Sequence, residues 1–146
     1  MRVVLAIGGN ALLQSGDDGT VESQSARALE SLSHVLPLLI SREKLLLTHG
    51  NGPQVGNALL RAEAGIPQTP PRPLDYLVSD TLGGFGYLLE RTLSILIRKN
   101  KSEREVMTMM EQVKVESDDP YFDNQSKPVG PWFSLDAVSY THIRAH

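Results

Sequence analysis

Residues 2–13, RVVLAIGGNALL, and residues 45–60, LLLTHGNGPQVGNALL, decide how this chain folds. Arg2 to Ile7 is a short apolar run rich in valine that halts at Gly8-Gly9, the pattern of a buried strand ending in a turn. Leu45 to Leu47 is a second apolar run, halted by Thr48-His49-Gly50-Asn51-Gly52, and Pro53 suits the first turn of a following helix. Between the two, Ala26, Leu29, Leu32, Leu36 and Leu39 recur at helical spacing, which predicts a helix packed on a sheet, bent or ended by Pro37. Strands joined through such a helix are most simply parallel, with a right-handed crossover. Both then end on one sheet edge. Gly8-Gly9-Asn10 and Gly50-Asn51-Gly52 are therefore expected side by side at the carboxyl end of the strands, where open α/β folds bind ligands.

Outward from these stretches, Val55, Ala58, Leu59 and Ala62 keep helical spacing until the proline-rich residues Pro67 to Pro73 form a loop. Leu82 to Ile97 predicts a long buried helix whose opening turn is weakened by Gly83, Gly84 and Gly86, as though something approached the backbone closely there. Val106 to Val115 predicts a strand, because Val113 and Val115 alternate. The following residues 118–133, DDPYFDNQSKPVGPWF, read as an ordered excursion rich in turn formers and aromatics.

Composition narrows the function classes. With 146 residues and 40% in the hydrophobic class, the chain has the size of one ordinary domain. A net charge of −3 gives no electrostatic drive toward nucleic acid or anionic lipid, and neither is expected as a partner. No apolar stretch approaches the ~20 residues needed to span a bilayer. Gly8, Gly9 and Asn10 also interrupt what would otherwise pass for a secretion signal in residues 1–15. The absence of cysteine excludes a disulfide framework, a thiolate nucleophile and cysteine-ligated metal, and points to a cytoplasmic location.

Paired glycine turns can direct N–H groups inward with no side chain in the way, and helix N-termini behind them favour an anion such as phosphate or carboxylate. Asn10 and Asn51 add neutral donors; each motif alone also fits a plain tight turn. Neither motif is a Walker or dinucleotide fingerprint, so nucleotide-binding residues stay unassigned. His49 fits a general acid or base, but fits a structural hydrogen-bonding histidine at least as well. His142 and His146 have the spacing of helical metal ligands without a third, and no metal ligand is assigned. Asp75, Asp80, Asp118 and Asp119 could hold magnesium or cap turns. Lys127 is framed by Pro128, Gly130 and Pro131, a rigid setting for one cation that could neutralise a transferring phosphoryl group.

Four blocks of the sequence resemble the carbamate kinases of the amino acid kinase superfamily. They are VVLAIGGNALL (3–13), THGNGPQVGNALL (48–60), PLDYLVSDTLGGFGY (73–87) and VKVESDDPYFDNQSKPVGPWF (113–133), in the family's order and spacing. The resemblance implies a three-layer α/β/α sandwich with a mainly parallel sheet, and phosphoryl transfer between carbamoyl phosphate and ADP, giving ATP and carbamate, with Mg2+. It also implies a small-molecule substrate, a homodimer and a cytoplasmic enzyme. On this chain Gly8, Gly9 and Asn10 would line the carbamate and phosphoryl site, with Gly50, Asn51 and Gly52 facing them. Asn10 and Lys127 would be the catalytic residues, Lys127 reaching in from a small protruding subdomain. Residues 1–112 would form the acid-substrate half, 113–138 the start of the protruding subdomain and 139–146 an atypical tail. Leu82 departs from the family's usual glutamine. The family is about twice as long and keeps its nucleotide site in the second half, so the fold is expected to be truncated and the chain alone weak or inactive. A non-catalytic binding or dimerisation module is the alternative reading; another amino acid kinase is disfavoured by the DDPYF and KPVGP blocks.

Overall fold

The computed structural model of the chain describes residues 1–13, 17–41 and 43–124. Two parallel strands, β1 (Arg2–Ile7) and β2 (Lys44–His49), pair residue for residue from Arg2↔Lys44 to Ile7↔His49. The expected common edge is thus present: both strands end level, and Gly50 N–H donates to Ile7 O at 3.0 Å. Between the strands lie α1 (Val21–Ser33) and a short α2 (Leu36–Leu39); after β2 come α3 (Gly52–Ala64) and α4 (Leu74–Lys99). Single-turn 3-10 helices occupy Gly9–Ala11 and Pro120–Phe122.

The helix after β1 differs from its predicted stripe. Pro37 starts a new helix instead of bending one, because a ring at the first turn removes only an N–H that needs no intrahelical partner. Of the predicted stripe, Leu32 and Leu39 are buried and Leu36 packs against the core, whereas Ala26 and Leu29, both on α1, are exposed and Ala28 is buried instead. Thr20 caps α1, its hydroxyl accepting from Ser23 N–H at 3.2 Å.

The long helix α4 begins at Leu74, eight residues before the predicted Leu82, so Gly83, Gly84 and Gly86 lie inside it. Close approach explains Gly86: a Cβ there would stand 2.6 Å from Thr108 Cγ2. Nothing stands within 4 Å of a Cβ placed on Gly84. Phe85, Leu88, Leu89, Leu93 and Leu96 on α4 join Leu12, Ala28, Leu32 and Leu39 in one buried cluster, with Ile7, Leu45 and Leu47 of the sheet packed against it. Burying side chains of this size contributes about 1.5–3 kcal/mol each, which makes α4 the spine of the molecule.

The predicted strand over Val106–Val115 does not form; those residues have no regular secondary structure and pair with no strand among the described residues. Thr108 N–H donates to the Glu90 carboxylate at 3.0 Å rather than to a neighbouring strand, and Val113 and Val115 are exposed. Alternating valines fit a pleated surface, but a strand exists only where a second backbone supplies its ladder. Arg104 anchors the segment by donating to Ser41 O at 2.8 Å and to Glu43 O. Of the expected three-layer sandwich, the described residues form a sheet and one helical layer.

Candidate functional site

Strand β1 delivers Gly8 and Gly9 to the carboxyl edge, where Ala11 N–H bonds Gly8 O at 3.0 Å and the backbone turns through Asn10. Strand β2 delivers Gly50, and α3 begins at Gly52. The first intrahelical bond of α3 runs from Val55 N–H to Asn51 O at 3.0 Å. Gly52 and Gln54 N–H therefore belong to the unpaired first turn, where the helix dipole favours negative charge, while Pro53 contributes no donor.

The two turns touch. A Cβ on Gly9 would stand 2.9 Å from Pro53 Cδ, 3.2 Å from Gln54 Oε1 and 3.5 Å from Gly50 O, and one on Gly50 would stand 3.7 Å from Gly9 N. Gly9 is therefore glycine because the second turn occupies the space of a side chain. A Cβ on Gly8 or Gly52 would meet nothing within 4 Å, so both border open space.

Asn51 is not free to face a ligand with its amide N–H groups. Its Nδ2 donates to Thr81 Oγ1 at 2.7 Å and to Val78 O at 3.1 Å, tying the second turn to α4. Thr81 in turn bonds back to Leu77 O at 2.8 Å. Sequence reading missed Thr81 and Gln54, since neither contributes until α4 and α1 pack against the turns. The Gln54 amide donates to Gln24 Oε1 at 3.2 Å, while its buried Oε1 has no partner.

His49 packs its ring on Phe85, centroids 4.8 Å apart at 54°. Burial pushes its pKa below the usual imidazole value, partly opposed by the Gly50 backbone, so the ring is held neutral. Its buried Nδ1 has no hydrogen-bond partner among the described residues, so the hydrogen bond of the structural reading is not formed there.

Other sequence candidates are drawn elsewhere. Asp80 pairs with Arg72 at 2.6 Å, and Asp119 accepts from Tyr121 N–H at 2.9 Å as a cap. No three His, Cys, Asp or Glu side chains gather as a cation site among the described residues. No helix among them is long and apolar enough to cross a membrane. Leu82, the departure from the family pattern, is half-buried on α4. Lys127, His142 and His146 lie outside the described residues, as do 14–16, and nothing is drawn from the Asn10 side chain. A cavity of about 370 Å³ lies between α1, α3 and α4, bordered by Gln24, Gln54, Arg61, Thr81 and Arg91. Gln54 and Thr81 are shared with the supports of the turns, but none of the glycines of the turns lines it.

With this geometry in place, comparison with known proteins is decisive for kinship. The chain is 39% identical to the carbamate kinase of Thermococcus kodakarensis over 135 residues, covering 90% of this chain and 43% of that protein. The chain is homologous to the N-terminal half of the carbamate kinases. Its fold agrees: a carbamate kinase from Giardia lamblia bound to citric acid superposes with a TM-score of 0.89 at 28% identity, covering 99% of this chain and 48% of that one. The same Giardia lamblia enzyme bound to AMP-PNP gives 0.82 at 29% identity, over 95% of this chain and 44% of that one. The α/β architecture is thus the amino acid kinase fold over this portion. No family model matches the chain. The chain spans less than half the length of the curated relatives it matches.

Proposed function

We propose that this chain supplies the acid-substrate and phosphoryl side of a carbamate kinase-type reaction, in which carbamoyl phosphate and ADP exchange with carbamate and ATP. The observation that carries this reading is the contact of two glycine turns at the carboxyl edge of parallel strands, with Gly9 against Pro53 and Gly50. In the step, the bond from phosphorus to the carbamate oxygen breaks and a terminal ADP oxygen bonds to phosphorus, so carbamate leaves as an anion. Gly8, Gly9, Asn10 and Gly52 would bind the acid and phosphoryl oxygens through backbone donors, positioned before charge develops, while Gly50, whose N–H is spent on Ile7 O, would line the site beside them. Asn51 belongs to this set as the residue that fixes the second turn through Thr81. Lys127 and Asn10 are assigned catalytic roles, Lys127 as the cation that stabilises the transferring group.

The turns carry no carboxylate, whereas magnesium takes oxygen ligands that include carboxylates. They do not fit a resident metal, and the part proposed for this chain runs through backbone donors and the Lys127 cation. Residues for ADP are assigned to none of the described positions. On the resemblance we also assign residues 1–112 to the acid-substrate half, 113–138 to a protruding subdomain and 139–146 to a tail, in a cytoplasmic homodimer.

Thermal unfolding with added ligand tests the assignment, because a ligand bound only by the folded chain raises Tm by mass action. Carbamoyl phosphate is expected to raise Tm and ADP alone to leave it unchanged. A shift with ADP and none with carbamoyl phosphate would reverse the assignment of the halves.

A further inference from the structure

Among the described residues, two buried side-chain polar atoms lack a hydrogen-bond partner, His49 Nδ1 and Gln54 Oε1. The His49 ring packs on Phe85. Gln54 Oε1 instead stands against the first glycine turn, 3.2 Å from the point that a Cβ on Gly9 would occupy. A chain of amides fixes which end of Gln54 faces that turn. Gln24 Nε2 donates to Gly19 O at 3.0 Å and to Thr20 O at 3.4 Å, and carbonyls only accept. Gln24 Oε1 therefore points the other way and accepts from Gln54 Nε2 at 3.2 Å. Flipping either amide would set oxygen against oxygen. The free end of Gln54 is thus an acceptor, assigned by the network around it.

Gln54 presents two opposite chemistries to the turns. Its backbone N–H belongs to the unpaired first turn of α3 and suits an oxyanion. Its Oε1 repels an oxyanion and calls for an N–H. A buried acceptor left unpaired has given up water without replacement, and a ligand donor that reaches it recovers that loss. Gly9 sets no side chain between this oxygen and the turn, and a Cβ on the neighbouring Gly8 would meet nothing within 4 Å. A ligand that satisfies both ends carries an amino group a few bonds away from its oxyanions.

We infer that Gln54 is a specificity residue whose Oε1 accepts a hydrogen bond from the amino group of the acid substrate, selecting a carbamoyl group over an acyl group with a methyl in that place. The inference rests on the assignment of carbamoyl phosphate to the glycine turns. The amino end then lies beside Gly9, and the phosphoryl end at Gly52 and the start of α3. Because the oxygen is buried in the unliganded chain, the Gln54 amide tilts toward the ligand as it seats. A site built around an N–H rejects the analogue that lacks it, since the acceptor is then left unpaired.

The test titrates the 146-residue chain with carbamoyl phosphate and, separately, with acetyl phosphate, which carries a methyl group in place of the amino group. NMR reads the backbone N–H groups of the turns and the side-chain amide of Gln54 together. Carbamoyl phosphate is expected to bind at least ~10-fold more tightly than acetyl phosphate, the scale of one hydrogen bond to a buried unpaired group. It should also move the Gln54 side-chain signals, which acetyl phosphate leaves in place. Gln54→Leu should erase the preference by weakening carbamoyl phosphate while acetyl phosphate binds as before or more tightly. Circular dichroism verifies folding, and Gln54→Met replaces Gln54→Leu if the leucine variant unfolds. Three results would each overturn this role and leave the assignment of the turns standing: equal affinities in the parent, a preference that survives Gln54→Leu, or turn N–H groups that shift with carbamoyl phosphate while the Gln54 side chain does not. Shifts at neither glycine turn with either ligand would overturn the role together with the assignment beneath it.

Discussion

Replacing Gly9 with alanine tests whether the two turns are built against each other. The added Cβ would stand 2.9 Å from Pro53 Cδ and 3.2 Å from Gln54 Oε1. Ordinary contacts between carbon atoms lie at about 3.5–4.0 Å, so the turns must separate by roughly 0.6 Å or more. Neither neighbour yields easily: the Pro53 ring is fixed in the first turn of α3, and the Gln54 amide is held by Gln24. Overpacking of this kind costs about 1–3 kcal/mol. With a urea dependence of about 1–3 kcal/mol per molar, the unfolding midpoint should fall by about 1 M. Gly8→Ala and Gly52→Ala are matched controls, since their new methyl groups meet nothing within 4 Å. Gly52→Ala should be neutral or stabilising by up to about 1 kcal/mol, the helix preference of alanine over glycine. Urea unfolding followed by circular dichroism reads all three variants. Equal midpoints for Gly9→Ala and Gly8→Ala would refute the claim that the turns are in contact.

Removal of the Asn51 latch by Asn51→Ala should cost about 1–2 kcal/mol, and a double-mutant cycle with Thr81→Val should return a coupling of at least ~0.5 kcal/mol. An additive pair would show that the latch is not formed. His49, whose folded pKa lies below its unfolded value, adds stability that is intact above about pH 6.5 and is lost as pH falls toward the lowered folded value. Urea midpoints between pH 7.5 and 5 should therefore fall in the parent and fall less in His49→Phe; parallel profiles would remove His49 as the titrating group. In a complemented enzyme, Lys127→Ala should lower ATP formation from carbamoyl phosphate and ADP by at least ~10²-fold, the scale of losing one positioned charge stabiliser. An unchanged rate in a coupled assay would remove Lys127 from the mechanism.

The strands and their glycine ends were legible because each is a local signal: an apolar run, a halt and a proline placed for a helix start. Their parallel pairing followed from the intervening helix, and the register Ile7↔His49 puts both turns on one edge. What failed depended on distant residues. The helical stripe holds at Leu32, Leu36 and Leu39 across a break that Pro37 makes into two helices, and fails at Ala26 and Leu29, where Ala28 is buried instead. The helix predicted from Leu82, with its opening turn weakened by Gly83, Gly84 and Gly86, in fact runs from Leu74, which puts those glycines in its interior, with Thr108 filling the space beside Gly86. Residues 106–115 have the alternation of a strand without a ladder partner. Asn51 was legible as a polar group at the site, but its partner Thr81, thirty residues away, decides that it holds the turn.

The most direct measurement of the central claim is an amide-resolved NMR titration of the 146-residue chain with carbamoyl phosphate. The account predicts saturable shifts concentrated at the backbone N–H groups of Gly8, Gly9, Asn10, Gly52 and Gln54, with inorganic phosphate reproducing only part of them. Shifts absent from both glycine turns, or centred instead on the cavity residues Arg61 and Arg91, would contradict it.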